Sequence, residues 1–183
     1  VDVNALEPVG FTFASTDKKD FDKLEKIYQN TLLEYTDDIK AISLSGVIKN
    51  VYAIGNGIID GLGLGYSTKC LLVYKALNEM KFIFNSMDLK ESSSNTLAGI
   101  GDLILTSTSP TSRNFTFGII CAKGSKEEKQ TYLDKTTVEG YENLIILYEL
   151  FKNLKIKTPL LNSIYDVVIK NKTSDVLIKA LLR

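Results

Sequence analysis

The segment Leu44-Ser45-Gly46-Val47-Ile48-Lys49-Asn50 decides how this chain is read. It belongs to a helical stretch predicted over 39–59, and residues three and four apart on a helix share a face. Lys49 then has Ser45 and Gly46 on the turn before it and Tyr52 and Ala53 on the turn after it. That makes a cation in a shallow channel of small side chains. Leu44, Val47, Ile48, Val51 and Ile58 recur at helical spacing and form the opposite, apolar side. The space left beside Lys49 suits a ligand better than a core.

Outward from this segment the pattern stays helical to the C-terminus. Helices are expected over 39–59, 67–84, 95–107, 113–122, 126–132, 138–154, 158–170 and 174–182. Gly61-Leu62-Gly63-Leu64-Gly65 separates the first two. A helix precedes it and Tyr66 stands at its sixth position, so a helix end and tight turn explain it better than a dinucleotide loop. The segment before Ile39 has a different pattern. Strands are expected over 9–15 and 32–35, with a helix over 20–29 capped by Thr16 or Asp17. Two strands make a marginal sheet, so this strand-helix-strand unit reads as the end of an α/β domain.

Composition bounds the chemistry. The 183 residues carry 22 basic and 22 acidic side chains, so neither a nucleic-acid surface nor an acidic tail is indicated. No apolar run is long enough to span a bilayer. With no histidine in the chain, His-based triads and most zinc sites are excluded; no metal site is expected, and proton transfer falls to Lys, Asp, Glu or Tyr. Cys70 and Cys121 are widely separated and are expected to be buried free thiols.

Two further constellations carry chemistry. Asp102 and Thr106 lie one helical turn apart and share a face with Gly99, with Leu103, Ile104 and Leu105 expected to crowd around them. A partly buried carboxylate there seeks a cation, and Lys49 is the candidate; a solvated surface Asp is the plain alternative. Ser112-Arg113-Asn114 opens a helix after Pro110. Free first-turn amides beside a guanidinium suit a phosphate, although an ordinary Ser cap with a solvated Arg fits the spacing equally.

In these motifs the chain resembles bacterial-type NAD(P)-dependent glycerol-3-phosphate dehydrogenase. The matching stretches are 44–51, Gly57-Ile58-Ile59-Asp60-Gly61-Leu62-Gly63, Ala98-Gly99-Ile100-Gly101-Asp102-Leu103, Thr106-Ser107-Thr108-Ser109-Pro110 with Ser112-Arg113-Asn114, and Val138-Glu139-Gly140. They stand in the family's order and spacing from about Pro8 onward. The resemblance implies a mainly α fold. An all-helical substrate domain over 39–183, like the C-terminal domain of 6-phosphogluconate dehydrogenase, follows a remnant of a Rossmann-type nucleotide-binding domain over 1–38. It implies that Lys49 is the acid/base and that Lys49, Asp102, Ser112, Arg113 and Asn114 contact substrate, with Asn50 and Thr106 in support. Arg113, Thr137 and Glu139 would touch the cofactor, although Thr137 stands where the family commonly has an apolar residue.

The implied reaction interconverts dihydroxyacetone phosphate and sn-glycerol 3-phosphate with NAD or NADP, for phospholipid synthesis. The implied setting is cytoplasmic, with a homodimer left open. The family's glycine-rich cofactor loop lies upstream of Val1, so this chain alone is expected to be inactive. Two other readings remain: a non-catalytic helical module for phosphate binding or assembly, and the helical domain of a related hydroxyacid dehydrogenase.

Overall fold

A computed structural model describes residues 8–28 and 31–183. Strand β1 (Gly10–Ala14), helix α1 (Lys18–Ile27) and strand β2 (Leu32–Thr36) form the α/β unit. The strands pair in parallel, from Gly10 opposite Leu32 to Ala14 opposite Thr36. Parallel neighbours need a crossover, and α1 supplies it. Asp17 is its cap, accepting from the Lys19 amide at 2.9 Å, and Phe21 packs on Tyr35 with ring centres 5.4 Å apart. The expected helix end at Gln29 lies outside the described residues.

Helix α2 (Ile39–Gly61) is the axis of the rest. Around it stand α3 (Tyr66–Ser86), α4 (Asp102–Thr108), α5 (Arg113–Lys123), α7 (Glu139–Asn153) and α8 (Pro159–Val168). Helix α6 (Lys126–Lys135) leans on α5, and α9 (Asp175–Leu181) on α8. Enclosure corrects the expectation of a two-faced α2. Val51, Tyr52, Ala53, Ile54, Ile58 and Ile59 are all fully buried, and so is Ser45, which bonds back to the Ala41 carbonyl and meets Met80. Of the small-residue channel, Gly46 alone keeps its open side: a Cβ there would meet nothing within 4 Å.

The tightest packing is between α2 and α5. A side chain on Gly57 would strike the Phe115 carbonyl, and one on Gly118 the Ile54 carbonyl. One turn on, Gly61 faces Ala122. Small residues four apart on both helices let the two backbones touch. Helix α2 then ends as the glycine cluster suggested. Gly63 adopts φ +74°, its amide reaches the Asp60 carbonyl at 2.9 Å, and Leu64 reaches Ile59 at 3.2 Å. That is the paired closure in which a left-handed glycine satisfies the last carbonyls.

Two further expectations fail here. The helix expected over 95–107 is three elements: a 3-10 turn at Glu91–Asn95, a π-turn at Leu97–Gly101, then α4. Gly99 presses against the Ser94 carbonyl, an approach that leaves no room for a side chain and takes the chain out of regular register. Cys70 is exposed, because α3 turns that face outward. Cys121 is buried as expected, and burial pushes its thiol up to about 12.

A buried carboxylate ties three helices together. Glu79 on α3 accepts from the Tyr52 hydroxyl at 2.9 Å and from the amides of Leu160 and Leu161, in the first turn of α8, at 2.8 and 2.9 Å. Burial outweighs these bonds and pushes its carboxyl up to about 7. The folded protein therefore holds this proton more tightly than the unfolded chain does. The stabilisation is full below pH 4.5, the carboxyl's ordinary value, and is lost as pH rises to about 7. In urea unfolding, wild type should lose on the order of 3 kcal/mol relative to Glu79→Gln between those limits; a constant difference across that range would refute the assignment.

Candidate functional site

Lys49 projects from α2 and Asp102 from the start of α4, and the two form an ion pair. Their side chains are 19% and 33% exposed, so the pair is half-buried and reachable from outside. Thr106, one turn beyond Asp102, lies 3.4 Å from the other carboxylate oxygen. Leu103 is fully buried beneath them, whereas Ile104 and Leu105 point outward and do not crowd the acid as expected. A charge pair at partial burial holds its ammonium in one place while leaving it able to reach a ligand.

A second cluster adjoins the first through Asn50. Asn114, the second residue of α5, donates to the Asn50 side-chain oxygen at 3.0 Å and accepts from the Gly140 amide at 2.9 Å. Asn50 donates in turn to Glu139 at 3.2 Å. Gly140 must lack a side chain, since a Cβ would meet the Asn50 carbonyl and Asn114 Oδ1 at 2.6 and 2.8 Å. Three helices thus converge at one buried amide pair. Arg113 and Glu139 pair at 3.6 Å with both side chains more than half exposed, so the carboxylate answers the unfavourable cation at a helix start.

Ser112 is the N-cap of α5, accepting from the Phe115 amide at 3.3 Å. The amides of Arg113 and Asn114 come earlier in the turn and have no partner within the helix. Free amides, the positive end of α5 and an exposed guanidinium make a donor set suited to phosphate or pyrophosphate oxygens. Thr137 is exposed just ahead of α7. Three hollows of 680, 540 and 840 Å³ lie elsewhere, and none is lined by Lys49 or Asp102. Chemistry, more than volume, marks this face as the site.

Residues outside the expected set also build it. Asn56, fully buried on α2, donates to the Ser107 carbonyl at 3.0 Å and ties α2 to the end of α4. Glu34 of β2 accepts from the Leu97 amide at 2.6 Å. An amide within the apolar run 51–59 was a readable signal for Asn56. So was the spacing Leu72, Ala76, Glu79, Met80, Ile83, which puts an acid on the buried face of α3. Nothing local marks Glu34, whose partner lies 63 residues away.

The fold and site define a helical domain built around a lysine–carboxylate pair, entered from a parallel strand-helix-strand unit. Residues 38–179 match the family described as the C-terminus of NAD-dependent glycerol-3-phosphate dehydrogenase, and the chain belongs to that family. It is 34% identical over 173 residues to the glycerol-3-phosphate dehydrogenase [NAD(P)+] of Syntrophotalea carbinolica, covering 93% of this chain and 52% of the relative. To the enzyme of that name in Chlamydia pneumoniae it is 38% identical over 146 residues, covering 80% and 42%. The chain spans about half the length of the curated relatives it matches. Among solved structures, the Coxiella burnetii glycerol-3-phosphate dehydrogenase superposes with a TM-score of 0.87 at 29% identity, over all of this chain and 57% of that one. A yeast glycerol-3-phosphate dehydrogenase shares the fold, with a TM-score of 0.85 at 22% identity over all of this chain and 56% of that one.

The amide pair gives a direct test. Asn114→Ala strips the Gly140 amide and the Asn50 side-chain oxygen of their partners in a buried place, which should cost about 1–3 kcal/mol in urea unfolding. A variant as stable as wild type would show that this junction does not hold the three helices.

Proposed function

We propose that this chain is the substrate-binding and acid/base portion of a glycerol-3-phosphate dehydrogenase, interconverting dihydroxyacetone phosphate and sn-glycerol 3-phosphate. The observations that carry the reading are the half-buried Lys49–Asp102 pair and the free first turn of α5, which bonds through Asn114 to Asn50, the residue after Lys49. In this reading residues 1–38 belong to the nucleotide-binding α/β domain and 39–183 form the helical substrate domain. The parallel β1–β2 pair with its helical crossover supports that division. Phospholipid synthesis, a cytoplasmic setting and a homodimer complete the proposal; among the described residues, no helix is long and apolar enough to cross a membrane.

NAD or NADP, bound mainly by the remainder of the full-length protein, would supply the hydride. Arg113, Glu139 and Thr137 are the residues of this chain that would face it. Their exposure and the mixed donor and acceptor set fit an amide-bearing dinucleotide. At the substrate, the Lys49 ammonium donates a proton to the ketone oxygen as negative charge grows there. Asp102 holds that ammonium in line, and Thr106 steadies the acid. Arg113 and the α5 amides take the phosphate, with Ser112 capping the turn. The Asn114 side chain is engaged on both sides, so its contribution to substrate comes through its backbone amide and through holding Asn50 in place.

In the full-length protein, Lys49→Ala should lower turnover of dihydroxyacetone phosphate at least ~10²-fold, with cofactor affinity changed less than about twofold. Wild-type turnover would remove Lys49 from this role. The isolated chain, assayed with NADH and dihydroxyacetone phosphate, should show no turnover, because near-attack geometry requires a held cofactor. A robust rate would place the nucleotide site within these residues.

A further inference from the structure

The acid of the pair is fixed from a direction the helical domain does not supply. Leu97 and Ala98 open the π-turn that leads into Asp102, and their amides point at the two strands. Glu34 of β2 accepts from the Leu97 amide at 2.6 Å, and Thr12 of β1 accepts from the Ala98 amide at 2.9 Å. The Thr12 hydroxyl donates at 2.9 Å to the same Glu34 oxygen that takes the Leu97 amide. Thr96 accepts from the Gly99 amide at 3.1 Å. Side chains therefore meet all three leading amides of the turn, two of them from the strands. A carboxylate there also opposes the positive end of the helix formed by the π-turn and α4. Gly10 on β1 lies directly under the Leu97 side chain.

We propose that Glu34 and Thr12 are positioning residues for the Lys49–Asp102 pair, and that through them the strand unit sets where Asp102 stands. They touch neither Lys49 nor Asp102. They act by pinning the first two residues of a turn whose end carries the acid, and π-turns are rare elements found mostly at functional sites. Both bonds to Glu34 converge on one oxygen, so an amide carbonyl can replace it and an alkyl group cannot. The effect on turnover rests on the functional reading given above; the effect on the turn does not.

The experiment uses the full-length protein. Glu34→Leu should lower kcat for dihydroxyacetone phosphate about tenfold or more, with KM for NAD(P)H within about twofold and the protein folded at the assay temperature. Glu34→Gln should restore kcat to within about twofold of wild type. Amide hydrogen exchange over 97–102 should speed up about tenfold or more in Glu34→Leu, with Pro159–Val168 unchanged. Should Glu34→Leu fail to fold, Thr12→Val, which removes only the hydroxyl, should show the same signs. Wild-type kcat in the folded leucine or valine variant overturns the positioning role, as does unchanged exchange. A wild-type enzyme that does not reduce dihydroxyacetone phosphate overturns the functional reading instead, and the exchange result then decides the clamp alone.

Discussion

Helices α2 and α5 touch at Gly57 and Gly118, and most of the site follows from that contact. Backbones this close admit one register, because a shift of α5 by one residue would bring the Phe117 or Ile119 side chain to the place where Gly118 is required. The pairing runs in one direction along both helices: Asn50 meets Asn114, Ile54 meets Gly118, and Gly61 meets Ile119 and Ala122. Fixing the crossing therefore fixes where α5 begins. It begins beside Asn50, the neighbour of Lys49, so the start of α5 is tied to the same stretch of α2 that carries the cation of the proposed reaction. The glycines that permit the contact lie two turns away from the chemistry they place.

Burying most of α2 has a cost in polar groups, and three of its polar side chains meet it with specific partners. Tyr52 gives its hydroxyl to Glu79, Asn56 reaches the Ser107 carbonyl, and Asn50 shares its amide between Asn114 and Glu139. Each bond also links α2 to a different neighbour: α3, α4, α5 or α7. A purely apolar helix would pack as well but could rotate or slide at little expense. Buried polar pairs penalise every wrong arrangement by leaving a donor or acceptor unmet. Lys49 inherits its fixed orientation from a helix that cannot turn.

The helices were legible because their apolar residues repeat at helical spacing, and the ends of α1 and α5 because Asp17 and Ser112 are good caps. Lys49, Asp102 and the opening of α5 stood out because charged residues beside glycine and serine are poor core material. What lay hidden depends on contacts distant in sequence. The burial of Ser45 is decided by Met80, the exposure of Cys70 by the absence of a neighbour outside α3, and the partner of Arg113 by a helix that starts 26 residues later. The π-turn was hidden for another reason. Its residues, Leu97 to Gly101, would suit an ordinary helix, and only the pressure of Gly99 on the Ser94 carbonyl shows why the register changes.

That register change bears directly on the ion pair. One extra residue in a helical turn rotates everything after it by roughly 100° about the axis. In a regular helix over 95–107, Gly99 and Asp102 would share a face; the π-turn at Leu97–Gly101 changes the phase just ahead of the acid, which pairs with Lys49 of α2. Asp102 and Thr106, both beyond the turn, keep their mutual spacing. The two halves of the pair are thus held in different ways. Lysine stands on the enclosed central helix, which its packing and its buried polar bonds fix together. The carboxylate stands at the end of an irregular turn, where packing is thin on the outer side and Ile104 and Leu105 are exposed. An element of that kind is held more firmly by hydrogen bonds at its start, and here the strand unit provides them. The charge pair therefore belongs to neither part of the fold by itself; it exists where the helical core and the strands agree on one geometry.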